Sequence, residues 1–75
     1  MAMTYTFAVI ATDDATGAVQ DTYGPLPVLE DPDPSSLGRM NQYGAHGWQL
    51  AETHTLPAPN TGIRVITLIK AEPAS

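Results

Sequence analysis

The segment Met40-Asn-Gln-Tyr-Gly-Ala-His-Gly-Trp-Gln-Leu50 limits the fold more than any other, because it prescribes a helix, its stop and a strand in quick succession. Gly47 suits the C′ position of a helix ending near Ala45 or His46. Helices commonly close through one left-handed residue, and glycine enters that region without a side-chain penalty. After the stop, Trp48 to Leu56 reads as a strand with Trp48 and Leu50 on one face. Trp48 then packs under the helix beside Tyr43 and Met40. An indole that buries on the order of 200 Å2 supplies much of a small core. Gly44 sits inside the helical stretch at a cost of roughly 1 kcal/mol relative to alanine. Close approach of the helix to a sheet is the expected reason for it.

The helix needs a start. Asp33 can cap it with Pro34 in the first helical position, or Ser35 can cap it slightly later. Leu37, Met40 and Tyr43 or Gly44 recur at helical spacing as one narrow apolar stripe. So short a helix must be held by packing on a sheet. Met3 to Thr12 alternates, with Met3, Tyr5, Phe7 and Val9 on one face and Thr4, Thr6 and Ala8 on the other, which predicts a half-buried strand. Asp13 to Gly17 follows as a turn, and Ala18 to Tyr23 is a shorter strand that can form a hairpin with the first. Gly24 to Pro34 holds four prolines in eleven residues, so neither a helix nor a central strand runs through it. Leu26, Val28 and Leu29 make it too apolar for a free linker. It either lies across the edge or opening of its own core or docks on a neighbouring subunit or partner.

Pro57 to Gly62 is a strong turn, and Ile63 to Lys70 is the most β-prone stretch. Its apolar residues fall on both parities: Ile63, Val65 and Ile69 on one, Ile66 and Leu68 on the other. Such a strand is usually covered on both sides. One helix covers one face only, so the second face needs the proline-rich loop or another subunit. A chain of 75 residues buries only about 60–65% of its unfolded surface and has no cysteine to staple it. Homo-oligomerisation is therefore expected.

Met40-Asn41 followed by Gly44-Ala45-His46-Gly47-Trp48-Gln49-Leu50 resembles the signature LN-x-x-G-A-E-G-W-E-L of the small bacterial DUF4177 family. His46 and Gln49 stand where that family usually has glutamates. The resemblance implies a strand, a helix and a terminal hairpin in a chain of comparable length. It implies no activity, and no functional residue carries over from it.

The expected fold is α+β: a small antiparallel sheet of three to four strands with one helix packed on it, in the order β-(β)-α-β-β. It forms a single domain over 1–75, with 1–2 a disordered start or cloning remnant, 24–34 the proline-rich loop and 72–75 a frayed tail. Net charge is −5, and Arg39, Arg64 and Lys70 are the only basic side chains besides two histidines, which argues against a nucleic-acid partner. No apolar run reaches membrane-spanning length and no secretory leader is visible, so the default location is cytoplasmic. His46 and His54 lack the spacing of a zinc pair, Ser35 and Ser36 lack a nucleophile's context, and no catalytic, metal or cofactor site is expected. Glu52 and His54 share a strand face and are the nearest approach to a proton-transfer pair.

These exclusions leave a non-catalytic, small homo-oligomeric binding or assembly module that recognises a protein partner or a small ligand. Its candidate contact residues are Tyr23, Leu26, Val28 and Leu29, with His54 and Arg64 as polar contacts on neighbouring strands. Tyr43, Gly44, Gly47 and Trp48 are assigned to core and turn. One alternative is an acidic inhibitor or regulator acting through Glu30, Asp31 and Asp33. Another is a ligand-sequestering protein or enzyme with a pocket between subunits, lined by Trp48, Tyr43 or His54.

Overall fold

The computed structural model describes residues 2–73. Its elements are β1 (Met3–Asp13), β2 (Val19–Tyr23), α1 (Ser36–Gly44), β3 (Gln49–Thr55) and β4 (Ile63–Pro73). The strands form one antiparallel sheet in the order β2-β1-β4-β3, a small α+β fold. The strand left optional by the sequence is present as β2.

The two longest strands, β1 and β4, pair along their whole length, from Met3 opposite Pro73 to Asp13 opposite Ile63. Glu72 and Pro73, expected in a frayed tail, therefore end β4 opposite Thr4 and Met3. Their pairing with the first strand ties them down. The rest of that tail, Ala74 and Ser75, lies outside the described residues, as does Met1 of the expected start.

The β1–β2 turn is built from side chains. Asp13 Oδ1 accepts from the amides of Ala15 (2.9 Å) and Thr16 (3.0 Å), and Gly17 takes a φ of +74°. Helix α1 begins after Ser35, whose hydroxyl accepts from the Gly38 amide at 3.1 Å. Asp33 is not the cap; its carboxylate instead accepts from the Ser35 amide (2.8 Å) and hydroxyl (2.7 Å), orienting the residue that is. Gly38 admits this arrangement, because a β-carbon there would collide with the Asp33 carboxylate.

At the other end the Trp48 amide donates to the Tyr43 carbonyl (3.2 Å) and the Gly47 amide to that of Gly44 (3.0 Å), with Gly47 at φ +93°. These two bonds are the Schellman pattern, with Gly47 at C′. Tyr43 and Trp48, which flank the stop, both enter the core. Gly44 does not have the expected reason for being small: nothing lies near its missing side chain, so it faces solvent. Leu37 departs from the expected stripe in the same way and is exposed, while Met40 and Tyr43 face the sheet.

The core is one cluster of Ala8, Ile10, Tyr43, Trp48, Ile66 and Leu68, with Val19, Leu26, Leu29 and Met40 packed around it. Buried Thr12 donates its hydroxyl to the Arg64 carbonyl at 3.4 Å. The proline-rich loop thus covers its own core, on the helix side. Its crossing is close: a β-carbon on Gly24 would lie 3.0 Å from both Cα and Cβ of Ala8.

Candidate functional site

Register decides which side chains share a face, since residues directly opposite each other in a sheet point the same way. Ala8 with Leu68, and Ile10 with Ile66, point toward α1. The alternate residues, Met3, Tyr5, Phe7, Val9 and Ala11 of β1 with Val65, Thr67 and Ile69 of β4, therefore point away from it. On the same side, β2 contributes Asp21 opposite Ala11 and Tyr23 opposite Val9.

No element of the described chain covers this second face. Met3 is 47%, Tyr5 55%, Phe7 58% and Tyr23 56% exposed, whereas Val9, Val65 and Ile69 are half-buried by their neighbours. The loop that was one candidate cover lies on the opposite side. The open face is thus a continuous apolar strip along β1, broadened by Tyr23 and the half-buried aliphatic residues of β4.

Charged groups occupy its margins. The Tyr23 hydroxyl donates to Asp21 Oδ2 at 2.9 Å, and this bond to a carboxylate raises the phenol's pKa. Along the other edge, His54 Nδ1 lies 3.2 Å from Glu52 Oε1, with both side chains exposed. A bulge puts them there. Pairing steps from Leu50 opposite Leu68 to Glu52 opposite Thr67, so Ala51 is the extra residue and the parity of β3 reverses after it. Leu50 stays on the helix side, while Glu52 and His54 move to the open face.

The sequence-derived contact residues are consequently dispersed. Tyr23 and His54 belong to the open face, on its two edge strands. Leu26 and Leu29 are part of the core's rim, and Val28 between them is 99% exposed. Arg64 is on the helix side, donating to Asp14 Oδ1 (2.9 Å) and Thr53 Oγ1 (3.2 Å). There it borders a groove of about 190 Å3 between α1 and β3, floored by Met40, Leu50 and Ile66. Tyr43 and Trp48 lie inside their own chain's core, with His54 on the other side of the sheet. The three cannot line one pocket.

Of the acidic lead-in, Asp33 is engaged in capping. Hydrogen bonds from the Ser35 hydroxyl and amide, with a smaller contribution from nearby Arg39, hold its carboxyl below the usual value. The Asp31 carbonyl accepts from Gln42 Nε2 at 2.8 Å. Among the described residues no cluster of three or more histidine or acidic side chains is arranged to hold a metal, and no helix is long and apolar enough to cross a membrane.

Met3, Tyr5 and Phe7 escape a search for polar chemistry, although their alternation is plain in the sequence. What would have revealed them is the competition between two apolar faces for a single helix. Compared with protein-family models, curated proteins and solved structures, the chain matches none.

Proposed function

We propose that this chain is a non-catalytic binding or assembly module whose working surface is the open face of its sheet. The observation that carries the reading is the exposure of Met3, Tyr5, Phe7 and Tyr23 on one side of a sheet whose other side carries the helix, the loop and the buried core. Exposed apolar residues scattered singly need no explanation, but a contiguous patch of this kind marks an interaction surface. An aromatic side chain left half exposed keeps about 100 Å2 in water, so covering each ring returns about 2–3 kcal/mol. Aromatic residues and methionine are also the types enriched in interface cores. Kinship with the DUF4177 family is part of the proposal and rests on the Met40–Leu50 segment.

Photo-crosslinking in the native host tests the surface assignment. A benzoylphenylalanine at Phe7 is expected to give discrete adducts, with any protein including this one. The same group at Leu37, exposed on the helix, is expected to give background only. Adducts from Leu37 and none from Phe7 would move the working surface to the helix side.

A further inference from the structure

We propose that the occupant of the open face is a second copy of this chain, stacked face to face about a two-fold axis that lies between the sheets and crosses their strands near Val9 and Thr67. The proposal rests on the open face being the working surface, and adds what covers it.

Three features of the face lead to this occupant. The first is its area. β1 and β4 pair over eleven residues each, flanked by strands of five and seven. At ~3.3 Å per residue and ~4.8 Å between strands, the flat footprint is about 500 Å2. Side-chain relief raises the accessible area above that, into the range of roughly 600–800 Å2 per partner that small specific interfaces bury. The face is large enough for a protein surface, and the groove beside Met40 and Leu50 and the one beside Pro25 and Trp48 are both on the helix side.

The second is its relief. Bulk on the open side of β1 falls along the strand from Tyr5 and Phe7 through Val9 to Ala11. A two-fold axis across the strands sets β1 on β1 of the second copy in the opposite direction, with Val9 at the pivot and Phe7 over Ala11. An axis parallel to the strands and running along β1 would bring ring against ring at one end and leave a gap at the other. Aligned sheets pack with side chains interdigitated about 10 Å apart, which requires such complementarity.

The third is charge. The chain is acidic, with a net charge of −5, so two copies repel unless their contact keeps the acids to its margins. The middle of the open face carries no charged side chain; Asp21, Glu52 and His54 are on its edge strands and Asp13 is at the end of β1. Self-stacking leaves Asp21 and His54 at the solvated rim. Glu52, opposite Thr67, meets its own copy at the outer edge of β3 with His54 3.2 Å away, and Asp13 comes over Tyr5 of the second copy.

The pair would be an eight-stranded, two-layer sandwich with a helix on each outer surface. An isologous contact closes after two copies and does not propagate.

Sedimentation velocity on the full chain, from nanomolar to high micromolar concentration, tests this. The expected result is a reversible shift from one chain mass to two. Phe7→Lys is expected to remain monomeric throughout, and Leu37→Lys to dimerise as the parent does. Emission from Trp48, buried on the opposite side, verifies that each variant is folded. The axis is read from single-cysteine variants, since the natural chain contains no cysteine. Under the proposed symmetry Tyr23, opposite Val9, approaches its own copy, and Tyr23→Cys is joined to itself by a short bismaleimide. Met3, six residues from Val9, ends up roughly 40 Å from its copy at ~3.3 Å per residue, and Met3→Cys is not joined.

Joining of Met3→Cys without Tyr23→Cys overturns the stacking. A monomer at every concentration overturns the second copy as occupant. In that case a crosslink from Phe7 to a different protein would leave the open face standing as the working surface, and no crosslink from Phe7 would remove both.

Discussion

On the helix side of β1 stand Ala8, Ile10 and Thr12, all buried; on the other side stand Tyr5, Phe7 and Val9, larger and more apolar in sum, and the two rings are more than half exposed. The larger hydrophobic set is the one facing water. What distinguishes the roofed side is that it is low. Ala8 lets the loop cross at Gly24 with scarcely room for a β-carbon, and a helix seated by Met40 and Tyr43 reaches the same cluster. A ring in place of Ala8 would hold the whole layer off the sheet. Burial inside a small chain follows from how closely a second layer can approach as well as from hydrophobicity.

Equal truncations on the two sides give the largest test of this contrast. Trp48→Ala removes a buried indole and is expected to destabilise the chain by about 3–5 kcal/mol, with Ile10→Ala at about 2–5 kcal/mol. Chains of this length are stable by only about 4–11 kcal/mol at 0.05–0.15 kcal/mol per residue, so Trp48→Ala should remove a large share of the total and unfold the chain if its stability is at the low end. Phe7→Ala, measured by urea denaturation at a concentration where the chain is monomeric, should lose less than about 1 kcal/mol, because its ring is mostly in water already. A loss matching that of Ile10→Ala would mean that the open face is covered within the chain.

Two glycines sharpen the same comparison. Gly24 has φ +106° and faces the backbone and side chain of Ala8, whereas Gly44 is helical and faces open space. Gly24→Ala combines left-handed strain with overlap and is expected to destabilise by about 2 kcal/mol or more. Gly44→Ala should stabilise by about 0.5–1 kcal/mol through helix propensity. Thermal melts of the two variants should move in opposite directions.

The sequence contained most of the fold. The stop at Gly47, the burial of Trp48, the Asp13 turn and the two-sided character of Ile63–Lys70 all follow from local chemistry that tertiary structure did not override. The open face was harder to read, for two physical reasons. Alternation divides β1 into faces but does not say which one the helix takes, since that depends on the height of Ala8 beneath the loop. The bulge at Ala51 then reverses the parity of β3, so Glu52 and His54 leave the side of Trp48 and Leu50. Nothing in the composition of Ala51 announces it. Arg64 and His54 looked like neighbours for a similar reason, being on adjacent strands, and are on opposite faces.

A smaller effect is expected at the start of the helix that roofs the closed face. Ser35→Ala removes the cap and should destabilise by about 1 kcal/mol. The substitution also has a pH signature. The Ser35 hydroxyl is the main cause holding the Asp33 carboxyl below its ordinary 3.8, and amide donors from Thr16 and Ala15 do the same for Asp13. A carboxyl with a lowered pKa in the folded state contributes stability that is complete above its unfolded value and lost as pH falls through the folded one. The stability that these two carboxyls contribute should therefore be complete at neutral and mildly acidic pH and be withdrawn as pH falls below about 3.8. In Ser35→Ala the Asp33 titration, followed by carboxyl NMR, should move back toward 3.8 while that of Asp13 stays put. Movement of both would mean that the substitution had loosened the fold generally.

The smallest effect is expected at Val28, the most exposed large apolar residue on the helix side. It separates a patch from an isolated residue. Val28 stands in a loop whose neighbours Leu26 and Leu29 turn inward to the core, so exposing it follows from the path of the chain and needs no partner. Val28→Ser should change stability by no more than about 0.5 kcal/mol, as substitutions at bare surface positions generally do. It should also leave self-association unaltered, in contrast to a polar substitution at Phe7. Loss of association in Val28→Ser would show that the proline-rich loop, and with it the helix side, takes part in the contact. Exposure alone would then have been a poor guide to which apolar residues act together.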